Sequence, residues 1–294
     1  MEKEYALTIL LSNPFPDEIT IKRIEHILKQ PVDWNQVFSI SFWERTTFII
    51  CKNLLKCHYY WMIPDSLWVV WYSAYMGNAQ KNEQLLYHFH LLEREFSKKN
   101  ITAIPSGGVM LLSTICKNMK DIRLLHDIDF ITEKTYLPAI DSILNSFEFQ
   151  KIYIDDKDPL INKEILHGNE YFYSKYIDSC FINCDFCSGI GDKNELFSFL
   201  IKCMECKESA IYKAAQLLLL YLTAEKSWDK SYCAPKVKHF VYSRLIDIQL
   251  YQKFYAEMEL SSKLKEITTC FHLEEITTDI NTALNFFEKG GYLP

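Results

Sequence analysis

From about Ile19 to Ser97 apolar residues recur at helical spacing, in amphipathic segments separated by short polar breaks. Asp33, at the head of Asp33-Trp34-Asn35-Gln36, is placed to cap one helix. Pro64 and Asp65 open the next, and Asn78 to Ser97 reads as a long helix with a charged outer face. After Lys98-Lys99-Asn100 the period changes. Strand-like runs appear at Ile101 to Ile104, Asp127 to Thr132, Phe147 to Ile154, Tyr171 to Tyr176 and Cys180 to Phe186. Helices are expected at about Val109 to Lys117 and Leu137 to Asn145, and a loop at the acidic cluster from Asp155 to Pro159. From Lys193 the helical period returns. Leu196 to Leu222 suits one or two buried helices, Lys236 to Leu260 another long one, and Glu274 to Glu288 a last one, ended by Gly290-Gly291. This is an α+β chain, divisible into an N-terminal helical region (1–98), an α/β core (99–192) and a C-terminal helical region (193–294).

Composition narrows the class. Of 294 residues 49% are hydrophobic and 15% aromatic, which fits an ordered globular chain with a large core. A formal charge of −6 argues against general nucleic-acid binding, although a local basic groove is compatible with that total. Ten cysteines behind an acidic N-terminus without a signal-like segment point to a reducing, cytoplasmic setting. The longest apolar runs, Leu67 to Met76 and Ala214 to Leu222, are shorter than the ~20 residues of a membrane span. Trp43, Trp61, Trp68 and Trp71 crowd the N-terminal region, either to pack helix on helix or to line an aromatic groove for a peptide or ring-bearing acceptor.

The candidate chemistry lies between Ile101 and Phe130. A buried strand there breaks into a small-residue turn at Ser106, Gly107 and Gly108, and a later strand carries Asp127 and Asp129. Residues two apart on a strand share a face, so the two carboxylates stand side by side while Ile128 and Phe130 point into the core. Such a pair repels itself unless a cation or proton compensates. The pair asks for a metal, and the nearby turn asks for a phosphate.

This constellation resembles the polymerase β-like nucleotidyltransferase superfamily. More narrowly it is similar to a family of uncharacterised bacterial nucleotidyltransferases often encoded beside peptide or natural-product biosynthesis genes. The likeness rests on Asp33-Trp34, the long helix leading into a hydrophobic strand and glycine turn, and Arg123 separated by three residues from Asp127-Ile128-Asp129. It continues in Asp185 within Cys184-Asp185-Phe186-Cys187, where cysteine replaces the family's histidine, and in the helix Arg244-Leu245-Ile246-Asp247-Ile248. The resemblance implies a short mixed sheet flanked by helical regions, and a reaction that moves a nucleoside monophosphate from a nucleoside triphosphate, ATP first among them, to an acceptor. Asp127, Asp129 and Asp185 would hold Mg2+ or Mn2+, and Ser106, Gly107, Gly108 and Arg123 would meet the nucleotide. The acceptor (peptide, protein or small molecule) is unassigned. In one departure, Ser106 stands where the family's turn has lysine, and Lys117, Lys120 or Arg123 is available to supply that charge.

Other readings compete. A silent member of the fold would bind a peptide or partner protein, and a toxin- or antitoxin-like regulator would use the same site on protein or RNA. Asp178 lies near Asp185 and competes for the third position. Arg123 suits either phosphate or the carboxylates. His126 alternates away from Asp127, which suggests core packing, and His167 is a loop residue open to acceptor binding. Cys184-x-x-Cys187 and Cys203-x-x-Cys206 have zinc-like spacing, but Cys184 and Cys187 would face opposite ways on a strand, so buried free thiols are the simpler expectation.

Overall fold

The computed structural model describes residues 2–152, 170–178, 180–189, 193–205, 209–224, 241–256 and 258–289. The expected loop from Asp155 to Pro159, His167, Cys206 and the terminal Gly290-Gly291 lie outside them. The N-terminal region packs α1 (Glu2–Leu11), α2 (Glu18–Leu28), α3 (Trp34–Trp43), α4 (Thr47–Lys56) and the 34-residue α5 (Asp65–Lys98). Asp33 caps α3 by accepting the N–H groups of Asn35 and Gln36. Helix α1 falls outside the pattern expected from Ile19 onward. Its run from Tyr5 to Leu11 is apolar on nearly every side, so it shows no stripe, and Leu7, Ile9 and Leu11 are buried. Helix α5 runs unbroken through Gly77, because Trp71, Leu85, Phe89 and Phe96 bury a single face along its length. Of the tryptophans, Trp71 is fully buried and donates to the Thr47 carbonyl, whereas Trp43 and Trp61 are exposed and Trp68 stacks between Tyr60 and Tyr72.

The core follows as β1 (Ala103–Pro105), α6 (Gly107–Ser113), β2 (Ile128–Thr132), α7 (Leu137–Ser146), β3 (Gln150–Ile152), β4 (Glu170–Ile177) and β5 (Cys180–Cys187). The five strands form one mixed sheet in the order β1-β2-β5-β4-β3. The β2–β5 pair is parallel and the other three pairs are antiparallel. The C-terminal region contributes α8 (Asn194–Glu205), α9 (Ala210–Ala224), α10 (Tyr242–Phe254), α11 (Met258–Cys270) and α12 (Glu274–Glu288). The single helix expected up to Leu260 is two, because Tyr255 leaves helical geometry at φ −106° and ψ 45° and its ring packs on Tyr251. The α+β class with helical flanks is as expected. No described helix is long and apolar enough to cross a membrane.

One face of the sheet packs on α5. Phe130 of β2 stacks on Phe186 of β5 with ring centroids 5.1 Å apart, and Phe89 and Phe96 of α5 close over them. These rings, with Ile128 and Cys184, have almost no solvent exposure, so this face is where hydrophobic burial fixes the strand register.

Candidate metal and phosphate site

The register that stacks Phe130 on Phe186 also sets Asp129 directly beside Asp185 on the neighbouring parallel strand. Alternation turns both carboxylates to the opposite face from the rings. Asp127, immediately before β2, joins them, and each of the three half-buried residues offers an oxygen within 4.8 Å of the others. Carboxylate oxygens at that spacing could serve as ligands of a hard divalent cation, whose oxygen ligands lie at about 2.0–2.6 Å. Among the described residues this is the one cluster of three or more His, Cys, Asp or Glu ligands of that kind.

The glycine turn closes against the carboxylates. The Ser106 N–H donates to the Asp129 carbonyl at 3.0 Å, which joins the turn to β2. Gly107 sits at φ +59°, a left-handed conformation open to glycine, and a Cβ there would lie 2.8 Å from Asp129 Oδ2. A Cβ on Gly108 would lie 2.5 Å from Leu125 and 3.4 Å from Arg123. Both positions therefore need small residues for reasons of space. Ser106 is extended at φ −132° and makes no side-chain cap to α6.

Three arginines surround this cluster. Arg123 gives Nε and Nη2 to the two oxygens of Asp247 on α10, each at 2.8 Å, and Asp247 is fully buried. This forked pair ties the loop before β2 to the C-terminal region. Arg123, expected to meet phosphate or the metal-facing carboxylates, is thus committed on two nitrogens to a different carboxylate. Arg244, one turn ahead on α10, approaches Asp247 at 3.8 Å. Burial lowers its pKa first, then the Arg123 charge, while Asp247, Asp129 and Asp127 oppose the shift. Arg45, between α3 and α4 at φ 55°, is lowered by burial and by Arg244 and Arg123, and is supported by Asp127. Asp127, Asp129, Asp185 and Asp247 outnumber these three arginines by one formal charge.

Sequence reasoning missed Arg45 and Arg244 as members of this site. Nothing local marks Arg45. Arg244 stands in the quoted helix Arg244-Leu245-Ile246-Asp247-Ile248, but its nearness to a turn far upstream is a tertiary fact. The loop carrying Arg123 is held by α5. Asn78 donates to the carbonyls of Asp121 and Arg123 at 3.1 and 3.2 Å, Asn82 donates to those of Lys120 and Arg123, and Asn82 accepts the Leu125 N–H at 3.3 Å.

The other candidates separate. Asp178 sits at φ 48° in the β4–β5 turn and is not part of the carboxylate cluster, whereas Asp185 is. His126 is exposed rather than packed in the core, because it precedes β2 and strand alternation does not reach it. Partial desolvation and the Arg45 charge hold its pKa below the usual range. Lys120 pairs with Glu83 at 3.6 Å and Lys117 is exposed. Cys184 is buried, with its thiol pushed well up by desolvation and by the three aspartates, and Cys187 lies half-buried on the carboxylate face.

Among known protein families, one described as "uncharacterised nucleotidyltransferase" matches residues 30–183, more than half of the chain. No curated protein and no solved structure matches it.

Proposed function

The chain belongs to the uncharacterised nucleotidyltransferase family, and from that premise we propose that it transfers a nucleoside monophosphate from a nucleoside triphosphate, with ATP as donor, to an acceptor group. The observation that carries this reading is the convergence of Asp127, Asp129 and Asp185 beside the Ser106-Gly107-Gly108 turn. In the reaction an acceptor oxygen bonds to the α-phosphorus, the bond from that phosphorus to the bridging oxygen breaks, and pyrophosphate leaves. The acceptor proton passes to solvent. Asp127, Asp129 and Asp185 would hold Mg2+ or Mn2+, which would supply neutralising charge to the phosphates and acidify the acceptor. Gly107, which has no Cβ, leaves room for a phosphate oxygen near Asp129. The acceptor enters between the α/β core and the flanking helices, and is a peptide, protein or small molecule.

A silent member of the family, binding a partner without catalysis, is favoured by one observation only: the Ser106-Gly107-Gly108 turn carries no charged side chain of its own. Incubation with ATP labelled in the α-phosphate, magnesium and cell extract tests both readings. Wild type should label an acceptor, and Asp127→Asn should lower the rate about 1,000-fold, the loss of roughly 4 kcal/mol of transition-state stabilisation. Equal labelling by the two proteins would reject the assignment.

A further inference from the structure

We propose that Arg244, brought from α10 of the C-terminal region, is the residue that grips the triphosphate, supplying positive charge beside a turn that has no cationic side chain of its own. This inference rests on the nucleotidyltransferase reading above, and it names the group that makes the site select a triphosphate over a monophosphate. Its first support is position. Arg244 Nη1 lies 3.9 Å from the point where a Cβ on Gly107 would stand, and the same point is 2.8 Å from Asp129 Oδ2. The guanidinium and the carboxylate therefore border one small space, which glycine keeps open. A polyphosphate bound to a cation on Asp129 and running along the turn would meet Arg244.

The second support is comparison with the neighbouring cations. Arg45 feels the charge of Asp127 and not that of Asp129, whereas Arg244 feels both. Arg123 spends Nε and Nη2 on Asp247, at 2.8 Å each. Lys120 is turned to Glu83 and Lys117 is exposed. Arg244 reaches Asp247 only at 3.8 Å, and that carboxylate is already forked by Arg123. A planar guanidinium presents parallel donors that match two phosphate oxygens, which suits it to this task better than a lysine.

The third support is rigidity. Tyr242 donates its N–H to Glu44 Oε2 at 3.0 Å, and Ser243 donates its N–H to the Glu44 carbonyl at 3.2 Å. Asp247 is anchored by Arg123 on the far side. The turn of α10 that carries Arg244 is thus clamped at both ends, once by the N-terminal region and once by the core. Arg123 and Asp247 act here as positioning residues, and Arg244 touches substrate.

Calorimetric titration of ATP and of AMP, both with magnesium, into wild type, Arg244→Gln and Arg244→Lys tests the proposal, alongside thermal unfolding of each protein. Arg244→Gln should weaken ATP about 10- to 100-fold, as expected for the loss of a charge-assisted pair, and leave AMP unchanged. Arg244→Lys should recover part of the ATP affinity, and the KM for ATP should rise more than kcat falls. Unchanged ATP affinity, or equal weakening of ATP and AMP, would overturn it. If Arg244→Gln does not fold, the ATP-to-AMP ratio in Arg244→Lys decides in the same way. Wild type that binds ATP without transferring label defeats the catalytic reading alone, and the ratio still judges Arg244. Wild type that binds no ATP defeats both.

Discussion

The two faces of the β2–β5 pair are built on one register and do opposite things. On one face Phe130 and Phe186 stack beneath Phe89 and Phe96, and every neighbour improves the contact. On the other, Asp129 and Asp185 stand side by side with Asp127 close, an arrangement that like charges resist. The rings hold the strands where the carboxylates would not hold themselves. Stability is concentrated on one face and the proposed binding chemistry on the other, although a shift of one strand by a residue would destroy both.

The largest effect that would break this division is on stability. Phe186→Ala should cost about 3–5 kcal/mol by leaving a cavity in the packed face, read as a lower denaturant midpoint. Asp185→Asn should lower that midpoint far less in metal-free buffer, since it keeps the side chain's size and leaves the packed rings untouched, while abolishing label transfer. Comparable losses from the two variants would show that the faces are not separable. A smaller effect is expected at the turn. Gly107→Ala should lose about 1–2 kcal/mol from its positive φ, and the crowding of Asp129 should weaken magnesium binding, followed by calorimetry. The smallest is a difference in rate between two thiols of one strand. Cys187, half-buried on the carboxylate face, should be alkylated faster at pH 8 than Cys184, whose buried thiol resists ionisation, with peptide mass spectrometry as the readout.

Much of this division is legible in the chain. Alternation assigns Ile128 and Phe130 inward and Asp127 and Asp129 outward, and five strand-like runs correspond to the five strands, though β1 and β3 are only three residues long. What alternation cannot supply is register between strands, so the pairing of Asp129 with Asp185 rather than Asp178 emerges only with the sheet. The arginines are less legible still. Arg123 and Asp247 are 124 positions apart, and nothing in either local sequence names the other. Arg45 lies in a turn whose left-handed φ no pattern signals. Helix α1 was hidden for the converse reason, being apolar on too many sides to show a period. His126, two residues before β2, shows where the rule runs out, although Asp127, one residue before it, still joins Asp129.

The grip of Asn78 and Asn82 on residues 120–125 has a consequence for how tightly the site can bind. A loop left loose until its ligand arrives subtracts the free energy of its own ordering from every association. Here five side-chain hydrogen bonds from one long helix restrain that segment in the ligand-free fold. For the proposed site the cost of ordering the Arg123 segment is met in folding, so a ligand bound beside it would lose none of its affinity to that ordering.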